Sequence, residues 1–363
     1  MTLRLPSGAP PALHALVADF VAGRKAALAR AVSIVENRRE GSDVLLAAMY
    51  PLIGRARRIG LTGPPGAGKS TITTLLAAEL RRAGLTVGIV AVDPTSPFTG
   101  GALLGDRVRM ERVALDPGVF IRSMATRGSL GGLAASTREV CDVLDAFGVD
   151  RILVETVGVG QSELDIARTA DSSAVVLVPE SGDSIQTLKA GLMEIADLFV
   201  VNKADRPGAD RLRNDVELML GLRAGHALRD TPAHHGVDLK SVANPARAAR
   251  AAARRTDAEQ WTPPVLSSVG TTGEGIPELL ASLDRHFAYL EQSGTLTTRR
   301  RARLRERVID VVELRMRQRL WADAATSAWL DEQIPSLESG RTSPYAVSET
   351  LLARSGKLLT GEQ

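Results

Sequence analysis

The chain of 363 residues contains one cysteine, Cys141, and five histidines. A single thiol permits no disulfide within the chain and no thiolate metal cluster. His234 and His235 are adjacent, but no third ligand stands at a suitable spacing, so they read as a solvated pair. Cys141 falls in the helical pattern of residues 134–147 and reads as a small buried hydrophobe. Aromatic residues make up only 3%, which argues against a protein that stacks single-stranded bases. The net charge is +3 with acids and bases interspersed, so no nucleic-acid face is expected. No apolar run reaches membrane-spanning length, and the first residues lack the basic-then-apolar form of a secretory leader. The sequence therefore predicts a cytoplasmic protein without a membrane contact. At 44% hydrophobic, it has ample material for a core, and its length allows two domains or one large domain with appendages.

Three regions differ in pattern. Residues 1–57 read as helices, with Leu13, Leu16, Val17, Phe20 and Val21, then Leu28, Val32 and Val35, at helical spacing. Ser42 or Asp43 is expected to cap a third helix carrying Leu45, Leu46, Met49 and Ile53. Between residues 58 and 290, apolar runs at 59–62, 87–92, 119–123, 152–155, 174–178, 198–201 and 265–267 alternate with helix-forming stretches. That alternation predicts an α/β fold with a doubly wound, mostly parallel sheet. Ligands of such sheets bind past the carboxyl ends of the strands. Residues 291–363 read as helical again, with an apolar stripe of Leu304, Val308, Val311, Val312 and Met316 behind a run of arginines from Arg299 to Arg307. Acids at Glu306, Asp310 and Glu313 interrupt that charge, so the stripe, with Trp321, Trp329, Leu351 and Leu352, is expected to meet a second subunit.

The first strand leads into Gly63-Pro64-Pro65-Gly66-Ala67-Gly68-Lys69-Ser70-Thr71. This is G-x-x-x-x-G-K-[ST] between a strand and a helix, the setting of a phosphate-binding loop. The glycines let backbone N–H groups turn toward phosphate oxygens, and the helix after Gly68 adds its positive end. Lys69 is expected to reach the β- and γ-phosphates, and the Ser70 hydroxyl to ligate Mg²⁺.

Other strand ends carry further candidates. Asp93, with Pro94-Thr95-Ser96-Pro97 after it, can reach the metal beside Ser70, and Asp106 is a further metal-side candidate. Glu155 ends the 152–155 run, two spacers before Gly158. Its carboxylate can hold the metal or its waters, and the Gly158 N–H can donate to a γ-phosphate. Glu155 stands where most such loops carry Asp. Gln161 is a candidate to orient the attacking water. Asn202-Lys203-Ala204-Asp205 follows the 198–201 run. The Asp205 carboxylate can accept from N1–H and the 2-amino group of guanine, whereas adenine leaves it unpaired, which selects GTP over ATP. Ser267, Ser268 and Val269 at the last strand end are candidates for the guanine O6. Gln186 and Lys189 are candidates for a loop that responds to nucleotide and reports to a partner.

Taken together in this order, with Glu155-Thr156-Val157-Gly158-Val159-Gly160-Gln161-Ser162-Glu163 and Gly182-Asp183-Ser184-Ile185-Gln186, these motifs closely resemble the MeaB/ArgK family from about residue 45 to about residue 320. These are P-loop GTPases of the signal-recognition/MinD/BioD class, related to the human methylmalonic aciduria type A protein. Ser268-Val269 departs from the usual Ser-Ala, and residues 222–257 look longer and less regular than the family pattern. The resemblance implies Mg²⁺-dependent GTP hydrolysis coupled to an adenosylcobalamin-dependent acyl-CoA mutase, most often methylmalonyl-CoA mutase. Members gate cofactor loading, protect the mutase and typically form a homodimer through a C-terminal extension. Three other readings fit less well. A nickel-delivery GTPase would need a Cys/His metal site, and an ATP-dependent kinase would not use Asn202-Lys203-Ala204-Asp205. A DNA-partitioning ATPase would carry a second lysine early in the loop, where Pro64 stands.

Overall fold

β1 (Arg57–Thr62) occupies the middle of a seven-stranded sheet, because its residues past Arg58 are apolar or small and buried on both faces. In the computed structural model, which describes residues 3–93, 110–125, 132–156, 166–180, 190–223 and 261–356, all seven predicted strands form. They are β1, β2 (Val87–Asp93), β3 (Val119–Ala125), β4 (Arg151–Thr156), β5 (Ser172–Leu177), β6 (Leu198–Asn202) and β7 (Val265–Ser268). The order is β3-β2-β4-β1-β5-β6-β7, and every pairing is parallel. The chain winds outward from β1 to β3, returns to lay β4 between β2 and β1, and then continues past β1 to β5. The reversal opens a crevice at the carboxyl ends of β1 and β4.

Helices cover both faces. On one, α4 (Lys69–Arg82) brings Ile72, Leu76 and Leu80 onto Leu61, Ile89, Leu153 and Val176, beside a later helix, Ile276–Gln292, that adds Leu279 and Leu283. On the other, the helix Gly132–Phe147 sets Val140, Val143 and Leu144 over Val90, Ile152 and Val154. The helices Ala190–Ile195 and Ala209–Arg223 contribute Leu192, Leu212 and Val216 over Val175, Phe199 and Val201. In chain order, with the one-turn helix Glu111–Ala114 as α5, these are α6 (Gly132–Phe147), α7 (Ala190–Ile195), α8 (Ala209–Arg223) and α9 (Ile276–Gln292).

The N-terminal helices α1 (Pro11–Val21), α2 (Lys25–Glu36) and α3 (Ser42–Met49) form a further coat over α6, sharing one apolar cluster with it. Leu13, Leu16, Phe20, Leu28, Val32, Leu45 and Met49 are all buried there. At about 2 kcal/mol per fully buried side chain, that contact contributes on the order of 10 kcal/mol before ordering costs. Two sequence expectations need correction. The cap of α3 is Gly41 in a left-handed conformation with no side-chain hydrogen bond, not Ser42 or Asp43. Ile53, expected on the third helix, lies beyond its end at Met49.

Asp145 of α6 fastens this coat to the sheet. Its oxygens accept from the N–H groups of Gly54 (2.8 Å), Arg55 (3.0 Å) and Ala56 (3.0 Å), the segment between α3 and β1. The Arg58 guanidinium donates to Asp145 (3.2 Å) and Asp142 (2.8 Å). Burial opposes the Arg58 charge, yet these carboxylates hold its pKa above the ordinary value.

The described contacts divide the chain into two units, Met1–Thr297 and Thr298–Gln363. The second contains most of α10 (Thr295–Ala322), with α11 (Ala324–Glu338) and α12 (Pro344–Arg354). Asp323 caps α11 by accepting from the Thr326 N–H at 2.8 Å, and Arg354 lies over the Trp329 ring. No residue of α10 is buried, and Leu304, Val308, Val312 and Met316 are exposed along it. No helix among the described residues is long and apolar enough to cross a membrane.

Candidate nucleotide and metal site

The loop Gly63–Gly68 joins β1 to α4 at the crevice, and its glycines are there for space and conformation. Gly63, Gly66 and Gly68 all have positive φ. A Cβ on Gly63 would sit 2.1 Å from the Val176 carbonyl oxygen, and one on Gly68 would sit 2.3 Å from Asn202 Nδ2. Because α4 begins at Lys69 with no side-chain cap, its first-turn N–H groups are arranged as an anion site. The Lys69 ammonium, almost wholly buried, donates to the carbonyls of Gly63 (2.7 Å) and Pro64 (3.0 Å) and so folds over the loop. Ala67 N–H donates back to the Pro64 carbonyl at 3.3 Å, while Pro65 and Thr71 complete the turn and the first helical turn.

One side chain ties this loop to the far end of the sheet. Asn202, at the tip of β6, donates from Nδ2 to the Ala67 carbonyl at 2.7 Å. Its Oδ1 accepts from Ser268 Oγ (3.2 Å) and the Gly270 N–H (3.1 Å). Asn202 is therefore a buried brace between the phosphate loop and the loop after β7. Lys203 is one of two non-glycine residues with positive φ among the described residues (φ +56°), a conformation that costs on the order of 1 kcal/mol and marks sites of use. That bend lets the Ala204 N–H donate to Ser268 O at 3.0 Å and leaves the Asp205 carboxylate exposed beside the same crevice. The Lys203 ammonium and the Arg206 guanidinium both pair with Glu180, past the end of β5. Ser267 is exposed, whereas Ser268 and Val269 are buried. Val269 closes a tight turn with Glu274, and Gly275 leaves room for the Ser267 carbonyl, which a Cβ would approach to 2.1 Å.

Glu155, at the end of β4, is fully buried and faces α4. Its Oε1 accepts from Ser70 Oγ at 2.9 Å and its Oε2 from Thr73 Oγ1 at 2.5 Å. Next to it, the hydroxyls of Thr156 and Thr62 meet at 3.1 Å at the tips of β4 and β1. A hydroxyl and a carboxylate at this point are hard oxygen donors of the kind Mg²⁺ shares with nucleotide phosphates. Asp93 ends β2, paired in register with Ala125 of β3 and one step past the Val92–Thr156 pair. Asp106, Gly158, Gln161, Gln186 and Lys189 lie outside the described residues, as do His234 and His235 and nearly all of the irregular stretch 222–257.

The structure thus brings together Gly63 to Thr71, Glu155, Asn202 to Asp205 and Ser267 to Val269 along one crevice. The sequence did not single out Thr73, Thr62, Thr156 or Glu180. Thr73 lies three residues past Ser70, a spacing that shares a helix face. A second polar array, Ser172 Oγ with His286 Nδ1 at 2.8 Å and His286 Nε2 with Asp197 Oδ1 at 3.3 Å, lies at the amino ends of β5 and β6. All three residues are buried, at the opposite ends of the strands from the phosphate loop.

The family model of the methylmalonyl Co-A mutase-associated GTPase MeaB matches residues 28–325. The chain belongs to the MeaB family. Pyrococcus horikoshii PH0274, which carries a provisional GTPase name, is 48% identical over 82% of this chain and 84% of its own length. The mouse methylmalonic aciduria type A homolog, mitochondrial, is 32% identical over 93% of this chain and 78% of its own. A crystal structure of a LAO/AO transport system kinase matches with a TM-score of 0.62 at 27% identity, covering 95% of this chain and 98% of that one. As a MeaB-family protein, the chain is a P-loop GTPase in fold and in enzyme class.

Proposed function

We propose that this chain hydrolyses GTP as the G-protein chaperone of an adenosylcobalamin-dependent acyl-CoA mutase, methylmalonyl-CoA mutase, gating cofactor loading and protecting the mutase. The observation that carries the reading is the Asn202 brace. It holds the loop suited to phosphates and the strand ends suited to a base in one fixed relation. In this reading Lys69 moves from the loop carbonyls to the β- and γ-phosphates, joining the first-turn N–H groups of α4. Asp205 accepts from N1–H and the 2-amino group of guanine, with Lys203 alongside and the loop of Ser267, Ser268 and Val269 facing O6. Because the Asp205 carboxylate is exposed, its desolvation cost falls due only when a base covers it. A guanine repays that cost with two hydrogen bonds, and adenine does not.

Ser70 and Glu155, with Asp93 and Asp106, would hold Mg²⁺, which supplies neutralisation of phosphate charge. Gly158 and Gln161 are assigned to the γ-phosphate and the attacking water, and Gln186 and Lys189 to the surface that answers to the mutase. The family's description and the mouse relative's name support the mutase as partner. The sequence offers no assured arginine finger, so basal turnover is slow and the partner raises it by completing the site. Steady-state GTP hydrolysis is measured with and without methylmalonyl-CoA mutase from the same cells. The expected result is at least several-fold stimulation with GTP and none with ATP. Equal turnover with and without the mutase contradicts the chaperone role.

A further inference from the structure

Thr73 belongs to no nucleotide motif, yet it is fully buried one turn along α4 from Ser70. Its Oγ1 lies 2.5 Å from Glu155 Oε2 and 3.0 Å from the Lys69 carbonyl oxygen. A threonine hydroxyl has one proton to give. The nearer acceptor, the Glu155 oxygen, takes it. The Lys69 carbonyl oxygen, four residues back, is the competing acceptor for the same proton. Glu155 pairs in register with Leu61 of β1 and Ala91 of β2, and its carboxylate lies along α4 with one oxygen at each hydroxyl. The methylene that distinguishes Glu from Asp provides that reach.

We propose that Thr73 is a positioning residue for the divalent-cation site: it pins the far oxygen of Glu155 so that the near oxygen holds the Ser70 proton and the Ser70 lone pairs face the cation. This rests on the GTPase reading given above and assigns Thr73 and Glu155 as a matched pair within it. With a valine at 73, the isosteric methyl leaves Oε2 without that donor, the buried carboxylate turns toward others, and Ser70 loses its fixed acceptor.

Release of N-methylanthraniloyl-GDP from the full chain is followed while Mg²⁺ is titrated against a chelator. Thr73→Val moves the Mg²⁺ midpoint about tenfold higher, and Thr73→Ser returns it toward the parent value. On a Glu155→Gln background Thr73→Val adds no further shift, because the pinned carboxylate is gone. Where Thr73→Val does not fold, Thr73→Ala is read in its place with the same expected shift. A lowered melting temperature with an unchanged Mg²⁺ midpoint is the mark of a merely structural threonine and overturns the proposal. So does a Thr73→Ser midpoint as high as that of Thr73→Val. Failure of the unaltered chain to bind the fluorescent GDP at all brings down the GTPase reading instead, and this role with it.

Discussion

Cys141 shows how far a single environment can silence a reactive group. It is fully buried in α6, and burial, with Asp142 and Asp145 adding to it and Arg58 opposing, pushes its thiol up to about 12. A thiol raised that far stays protonated at mildly alkaline pH and is a poor nucleophile. Ellman's reagent at pH 8 is therefore expected to leave the native protein unlabelled and to release one equivalent in denaturant. Rapid labelling of the folded chain contradicts this. The burial of Cys141 was legible because it follows from helical periodicity alone. The phosphate loop was legible for a related reason: its residues are contiguous, so spacing and geometry coincide. The Asn202 brace was not, because its acceptor Ala67 is 135 positions away and only the closed sheet brings them together. The same holds for Glu155. Its type and place were visible, but its engagement with both Ser70 and Thr73 depends on α4 packing over β4.

At the scale of elements, the seven strands were readable because fully buried runs alternate with helical stretches. α8 was not, since its residues are rich in Arg, Asp and Glu and its apolar side, Leu212 and Val216, is narrow. Nor did any pattern announce that α6 carries the fastening between the N-terminal helices and β1. Asp145 receives three backbone N–H groups and Arg58 in a buried position. Its removal takes away the acceptor of three backbone N–H groups and one of the two carboxylates that Arg58 meets. Asp145→Ala is expected to cost about 3–5 kcal/mol in denaturant unfolding, whereas Asp19→Ala, which removes an exposed pair with Arg24, is expected to cost under about 1 kcal/mol. Equal effects from the two would show that the bonds to residues 54–56 carry no weight.

For the whole molecule, the question is what meets the apolar line of α10. Val308 is 64% exposed, with Leu304, Val312 and Met316 beside it on successive turns, a contiguous apolar line of the kind that marks a contact surface. We propose that a second copy of the chain covers it, so light scattering should find a dimer that Val308→Glu converts to monomer while GDP binding persists. A monomeric parent protein contradicts this. The sequence marked the stripe, but not its partner, because complementarity between copies leaves no periodic trace. The account as a whole depends on one crevice that holds phosphates at α4 and tests the base at Asp205. Calorimetric competition among GDP, ADP and XDP on the parent chain and on Asp205→Asn tests this most directly. The parent should prefer GDP over ADP by at least a hundredfold, as loss of paired contacts to a carboxylate requires. Asp205→Asn should lose that preference and gain affinity for XDP, whose C2 oxygen accepts from the new amide. ADP binding as tightly as GDP, or an Asp205→Asn variant with the parent's selectivity, would contradict it.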